Sequence, residues 1–267
     1  GMMFADLGAV LDQLPVADLE KHPEAFMQVW VAQGGMVSIN HPLVVPAKTS
    51  LPVGRNNLSF RPWVSNDEVP PEITEAGRLA MGVEVYNLPA AFLRDNLLSH
   101  DGPGTYAQTL TRLDAEIQKQ QRRLMPVGGT DSHEGFLRAT TFVLAHDRTE
   151  AGLKEAVQAG RVCVKDPQAC SLQVRVPGGE WQPVGASVAH AQTIEVKARA
   201  QAKGAVLRMM LDGTTVATPS SDAIAKVALD GKCQVLRLEV GEGASAPIYL
   251  NCPFAAPKGP VAANLAR

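Results

Sequence analysis

The chain has 267 residues, of which 45% are hydrophobic and 19% are charged, so the composition predicts a folded protein with one large or two ordinary domains. A formal net charge of −2 and an isoelectric point of about 6.3 give no basic surface for nucleic acid or for an anionic membrane. No apolar run approaches the roughly 18 residues that a membrane helix needs. We therefore expect neither a nucleic-acid partner nor a membrane partner.

Two helices and a strand are predicted near the start of the chain. Residues 5–14 and 23–33 have apolar side chains at helical spacing. Residues Met36–Ile39 follow as a short buried strand, and Pro42 prevents the strand from continuing. Residues 1–3 look like the remnant of a tag, and we leave them out of the predicted fold.

Polar side chains occur at the ends of the predicted strands. His41 stands where the strand Met36–Ile39 stops. A second strand, residues 81–87, carries Glu84 inside an apolar run and ends in Asn87. Buried carboxylates are rarely tolerated without a partner or a metal, so Glu84 is a candidate for contact with a metal or a substrate. Asn87 is a second candidate, because its polar side chain stands at the end of the strand.

The segment 126–135 gives the strongest local signal, because an apolar run ends in two glycines and then presents Asp131 and His133. A carboxylate and an imidazole at the carboxyl end of a strand form a metal-binding or acid–base corner. The alternative is a glycine turn in which Asp131 caps the next segment and His133 is merely exposed. Arg138 could bind an anionic group of a substrate or pair with a neighbouring carboxylate.

The regions between and after these strands contain a long loop and two further helices. Residues 42–71 include six prolines, which predicts an active-site loop or a surface decoration. Residues 105–124 form the clearest helix, and its basic end predicts a solvated helix terminus. A helix is also predicted over residues 150–159, with Thr149 as its N-cap and Gly160 as its C-terminal stop.

After residue 166 the pattern changes to alternating apolar and polar residues separated by turn signals such as Asp212-Gly213. Successive strands with no helix between them indicate an antiparallel β-sandwich. We therefore predict an α/β domain over residues 1–166 and a β-sandwich domain over residues 167–267. The strands are predicted over residues 172–176, 193–198, 206–211 and 235–240.

The four cysteines show no Cys-x-x-Cys spacing, so we predict ordinary buried thiols in preference to a zinc knuckle. No signal peptide is evident in this chain, and a cytoplasmic location is favoured. The redox compartment stays open at this point.

The order Asn40-His41-Pro42, then the segment 82–87, then Gly129-Thr130-Asp131-Ser132-His133 resembles the later motifs of the polymerase and histidinol phosphatase (PHP) superfamily. Members of this superfamily are metal-dependent phosphoesterases and hydrolases built on a distorted (β/α) barrel. The resemblance covers residues 28–165. The chain is similar in particular to the carbaryl-hydrolase-like branch, which often carries a β-rich C-terminal extension.

The resemblance implies a partial distorted PHP-type barrel followed by the β-sandwich, and a set of site residues. His41, Asp131 and His133 would be ligands of zinc, manganese or iron, although this chain need not retain a metal. Glu84, Asn87 and Arg138 would lie near a small-molecule ester or phosphoester substrate. The expected activity is hydrolysis by a metal-activated water.

One departure from the family leaves three alternatives open. Family members carry a His-x-His strand, another His and a Glu before the motif matched by His41, whereas here the only earlier histidine is His22. The chain therefore resembles only the second half of a PHP domain. The first alternative is a metal-dependent hydrolase, and the second is a degenerate, non-catalytic relative that binds a ligand or partner. The third is a protein whose site is completed in trans. Half a barrel leaves an open strand edge, and we expect the helices 5–14 and 23–33 or a homodimer partner to cover it.

Overall fold

The structure is a computed structural model, and it describes residues 2–14, 17, 22–40, 77–87, 106–129, 141–199 and 206–254. The chain divides into two compact units, Gly1–Thr109 and Leu110–Arg267. Helices occur together with parallel and antiparallel strands, so the fold is mixed α/β. Among the described helices, none has both the length and the apolar character needed to cross a membrane.

The N-terminal unit contains short elements, most of them close to the bounds that the sequence predicts. Asp6 caps the first helix, because its carboxylate accepts hydrogen bonds from the backbone N–H groups of Gly8 at 2.8 Å and Ala9 at 3.3 Å. The described strands and helices of this unit are β1 (Met2–Met3), α1 (Leu7–Leu11), α2 (Pro23–Ala32), β2 (Met36–Ile39) and β3 (Gly82–Asn87).

The exclusion of residues 1–3 from the fold is wrong, because Met2 and Met3 form β1 and pair antiparallel with β2. The indole N–H of Trp30 in α2 lies 3.2 Å from the carbonyl oxygens of both Met3 and Met36. The Trp30 ring also stacks on Phe26, with ring centroids 6.1 Å apart. One edge of β2 is thus covered by a strand from its own chain, which Trp30 holds in place.

The C-terminal unit begins within a long helix and continues mainly as strands. The helices described from residue 106 onward are α3 (Tyr106–Gln120), α4 (Glu150–Gln158) and a 3₁₀ helix (Pro167–Ser171). In helix α3 the apolar side chains of Leu110, Leu113 and Ile117 are buried, as their helical spacing predicts. Thr149 caps α4 by accepting a hydrogen bond from the Gly152 N–H at 3.0 Å, and Gly160 follows the helix with φ +74°, so both predicted boundaries are confirmed.

The described strands of this unit are β4 (Met125–Gly129) and the members of two sheets. The strands of the two sheets are β5 (Thr141–Val143), β6 (Val162–Val164), β7 (Gln173–Arg175), β8 (Gln182–Pro183), β9 (Ser187–Val188), β10 (Thr193–Lys197), β11 (Leu207–Leu211), β12 (Thr214–Ala217), β13 (Ala225–Ala228), β14 (Gln234–Val240), β15 (Gly243–Ser245) and β16 (Ile248–Leu250). One sheet has the order β13-β10-β7-β8, and the other has the order β12-β11-β14-β15-β6-β5 with β16 beside β14 and β9 parallel to β16.

The two sheets bury a common hydrophobic core. Alternate residues of β10 and β11 point into it, as the predicted alternation requires. Strand β6 pairs with β15, so the larger sheet includes strands from both sides of residue 166. Fully or almost fully buried members of the core include Leu172, Val174, Ile194, Val196, Leu207, Met209, Leu236, Leu238, Ile248 and Leu250.

The prediction of free buried thiols is wrong, because the cysteines form two disulfides. Cys163 is bonded to Cys170, with their Cα atoms 5.4 Å apart. Cys233 is bonded to Cys252, with their Cα atoms 4.1 Å apart. Spacing along the sequence could not give the second pair, because it is the pairing of β14 with β16 that brings these two residues together.

Candidate functional site

Most of the predicted site residues lie outside the part of the chain that the structure describes. These residues are His41, Asp131, His133 and Arg138. The strands that lead to them are described: β2 ends at Ile39, and β4 ends at Gly129. Each strand therefore stops two residues before a predicted metal ligand, at His41 and at Asp131.

In the N-terminal unit, the end of β2 pairs with the start of β3. The two strands are parallel, with Ser38 opposite Gly82 and Ile39 opposite Val83. Strand β3 therefore continues beyond the last residue of β2, through Glu84 to Asn87. At the end of β2 the hydroxyl of Ser38 lies 3.2 Å from the side-chain oxygen of Asn40.

Glu84 is buried within β3, as the apolar run around it predicts, with 8% of its surface exposed. Its neighbours in sequence, Val83 and Val85, are also buried. Two residues further on, the ring of Tyr86 makes an edge-to-face contact with Tyr106, with the centroids 5.8 Å apart. Asn87 is the last residue of β3.

The C-terminal unit fixes the end of β4 through a residue that sequence reasoning missed. The hydroxyl of Thr141 in β5 accepts a hydrogen bond from the Gly128 N–H at 2.8 Å and donates one to the Gly128 carbonyl at 2.7 Å. Thr141 therefore anchors the backbone immediately before the Gly129-Thr130-Asp131 segment.

In the described ranges, no group of three or more His, Cys, Asp or Glu side chains is placed to hold a metal ion. The predicted donor set consists of two imidazoles and one carboxylate, from His41, His133 and Asp131. Such a mixed set suits zinc, manganese or iron. The chemistry of the donors therefore fits the metal that the motifs imply.

A second cluster of charge lies in the C-terminal unit, at a place the sequence analysis did not single out. Arg237 in β14 is fully buried, and its guanidinium donates to both carboxylate oxygens of Asp114 in α3 at 2.8 Å. It also donates to Glu239 at 3.2 Å. Burial alone lowers the pKa of Arg237, but the charges of Asp114 and Glu239 outweigh burial and raise that pKa above its ordinary value.

The chemistry of this cluster is that of a structural ion pair. Every polar atom of the Asp114 carboxylate that faces Arg237 is already bonded, and Arg237 is 0% exposed. A group enclosed in this way cannot approach a substrate. A signal was present in the sequence, because Arg237 interrupts the apolar strand Gln234–Val240 much as Glu84 interrupts β3.

The basic end of α3 is only partly solvated, which corrects the prediction made for it. Lys119 is exposed, but Arg123 is packed over the ring of Tyr249, 4.4 Å from the centroid. Arg123 donates to the hydroxyl of Ser187 at 2.8 Å and to the carbonyl oxygens of Ala159 and Gly185. Its charge therefore holds the fold together and is not offered to a ligand.

Tyr249 in β16 completes this packing. Its hydroxyl donates a hydrogen bond to the carbonyl oxygen of Leu124 at 2.6 Å, and the side chain is almost fully buried. Burial raises the pKa of the Tyr249 hydroxyl to about 12. The phenol is therefore neutral at physiological pH and acts as a hydrogen-bond donor within the core.

No protein-family model, curated protein or solved structure matches this chain. The motifs around His41, Glu84 and Asp131 are thus the ground for any functional proposal.

Proposed function

We propose that this chain is a metal-dependent hydrolase of the PHP type, with a partial distorted barrel and a C-terminal β-sandwich. Its substrate would be a small-molecule ester or phosphoester. The observation that carries the proposal is the position of the motifs: His41 and Asp131 each follow the end of a strand by two residues. Catalytic and metal-binding residues of α/β barrels occupy this position at the carboxyl ends of strands.

The proposed roles follow from the chemistry of each side chain. His41, His133 and Asp131 would hold a divalent metal, which when bound lowers the pKa of a water molecule and polarises an ester oxygen. Arg138 would orient an anionic group of the substrate, and the Asn87 amide would donate or accept a hydrogen bond. The carboxyl group of Glu84, buried in β3, would lie close to the site and contact the substrate.

The test is the metal content of freshly purified protein, measured by inductively coupled plasma mass spectrometry. We expect a stoichiometric amount of zinc, manganese or iron in the unmodified chain. His133→Ala removes one imidazole ligand, and we expect it to lower the metal content at least tenfold. Hydrolysis of a chromogenic aryl phosphate and of an aryl ester should fall with the metal content.

His190→Asn is the matched control. His190 is exposed and has φ +57°, a conformation that asparagine also accepts, so this substitution removes an imidazole without straining the backbone. Metal content and hydrolysis should match those of the unmodified chain. Equal metal in the His133→Ala and His190→Asn variants would contradict the proposed ligand set. Stoichiometric metal without hydrolysis of either substrate would favour the non-catalytic alternative.

A further inference from the structure

All four cysteines of the chain are engaged in disulfides, and none is free. Four cysteines allow three different pairings, so a single complete pairing depends on the fold. Cys163 lies in β6, and Cys170 lies in the 3₁₀ helix that follows β6. This bond closes a short segment of chain, because its two cysteines are 7 residues apart.

The second bond joins the ends of two neighbouring strands. Cys233 precedes β14, and Cys252 follows β16 after one intervening residue. The antiparallel register places Gln234 opposite Leu250, so the two cysteines lie at the same end of the strand pair. The bond therefore holds β16 against β14 just beyond their last backbone hydrogen bonds.

We propose that both disulfides are native. The protein would acquire them in an oxidising compartment, and it would function in that compartment or outside the cell. For each bond, two thiols of the chain lose two protons and two electrons, and a protein disulfide donor is reduced to a dithiol by thiol–disulfide exchange. Thiols in the cytosol are kept reduced, whereas disulfides persist in secreted and periplasmic proteins and in the endoplasmic reticulum. The cytoplasmic location favoured by the sequence analysis gives way to this assignment.

The two bonds differ in their accessibility to a reductant. Cys163 is 0% exposed and Cys170 is 8% exposed, whereas Cys233 and Cys252 are half-buried. Exchange requires a thiolate or a phosphine to reach one of the two sulfur atoms along the bond axis. The Cys233–Cys252 bond therefore opens first, and the Cys163–Cys170 bond is protected until the surrounding core unfolds.

The first experiment examines the protein in the cells that naturally make it. Thiols are trapped with acid and iodoacetamide at lysis, and the cysteine-containing peptides are mapped by mass spectrometry. We expect both pairs to be recovered as disulfide-linked peptides and the protein to fractionate with extracytoplasmic markers. Alkylation of any of the four cysteines in most molecules, or fractionation with cytoplasmic markers, would overturn the proposal.

The second experiment treats the purified full chain with increasing concentrations of tris(2-carboxyethyl)phosphine, followed by alkylation under native conditions. Cys233 and Cys252 should be labelled at a concentration at least tenfold lower than Cys163 and Cys170. A sample reduced in strong denaturant is the control, and there all four cysteines should be labelled together. Equal or reversed sensitivity in the folded protein would show that exposure does not control the opening of these bonds.

The third measurement compares the thermal unfolding of the full chain with that of a double variant. Cys233→Ser with Cys252→Ser removes the bond that spans 19 residues. Adding reductant to the unmodified protein at a concentration that opens only the Cys233–Cys252 bond should lower the melting temperature to that of this variant. An unchanged melting temperature would mean that this bond is not formed in the folded protein.

Discussion

Arg237 shows how a single residue can determine the stability of a sheet. A guanidinium in the middle of a buried strand is tolerated because its N–H groups meet the carboxylates of Asp114 and Glu239. The attraction between buried charges roughly offsets the cost of removing them from water, so the pair adds little by itself. Removal of one partner is different, because the other charge is then left buried without compensation.

We therefore predict that Asp114→Ala lowers the free energy of unfolding by about 3–5 kcal/mol, as measured by urea denaturation. The double substitution Asp114→Leu with Arg237→Met should recover most of this loss, because both members of the buried pair are gone and Glu239 keeps its ion pair with Arg208 at 3.2 Å. Arg199→Ala is the matched control, since Arg199 pairs with Asp222 at 3.0 Å where the two side chains are 65% and 63% exposed. Its effect should stay below about 1 kcal/mol. Similar losses in Asp114→Ala and Arg199→Ala would contradict the prediction.

At the scale of elements, the turn between β8 and β9 packs directly against the end of α4. Gly185 in this turn has φ +81°, and a Cβ atom there would lie 2.7 Å from the carbonyl carbon of Gly160 and overlap the Ala159 carbonyl oxygen. Arg123 bonds the carbonyl oxygens of both Gly185 and Ala159, which brings the two backbone segments together. The contact thus requires glycine for its conformation and for its lack of a side chain.

Gly185→Ala should destabilise the protein by several kcal/mol, because a left-handed conformation costs roughly 1–2 kcal/mol and overpacking adds about 1–3 kcal/mol. Gly178→Ala separates these two causes, since Gly178 has φ +80° but no atom lies within 4 Å of its Cβ position. This control should show the conformational cost alone. Thermal unfolding of the two variants gives the comparison, and equal melting temperatures would exclude a steric role for the Ala159–Gly160 backbone.

The elements that could be predicted from the sequence are those defined by local rules. The cap at Thr149, the stop at Gly160 and the strand Met36–Ile39 all depend on residues within a few positions of one another. Pairings between distant segments escaped prediction, because neither the β1–β2 pair nor the Cys233–Cys252 bond leaves a local pattern. In sequence, a two-residue strand at the edge of a sheet and a tag remnant look alike.

The same distinction applies to the candidate site. The strand ends before His41 and Asp131 and the burial of Glu84 were predictable, since each follows from apolar runs and their interruption. The anchoring of Gly128 by Thr141 was not, because a hydroxyl that bonds a backbone 13 residues away has no signature in composition or periodicity. The identity of the metal ligands stays a prediction.

At the scale of the whole molecule, the C-terminal unit has a hydrophobic core of its own. Its hydrophobic core is built from side chains between residues 142 and 250, and the Asp114–Arg237 pair links α3 to β14 within the same unit. We expect a fragment of residues 106–267 to fold alone, with cooperative thermal unfolding and a near-ultraviolet circular dichroism signal from its buried Tyr249. An Arg237→Ala version of the fragment is the control and should unfold at a lower temperature. A broad transition without near-ultraviolet signal in the unmodified fragment would contradict this expectation.

The hydrogen bond from Tyr249 to the Leu124 carbonyl has a consequence for the order in which the chain can fold during synthesis. It joins residues 125 positions apart, and the Asp114–Arg237 pair joins residues 123 positions apart. Helix α3 leaves the ribosome long before Arg237 exists, so the carboxylate of Asp114 waits for this partner until residue 237 has been made. Cys163 and Cys170 emerge almost together and can bond on the nascent chain, whereas Cys233 must wait for Cys252. Closing contacts over such distances is slow, and a chaperone that shields α3 in the meantime would speed the production of folded protein.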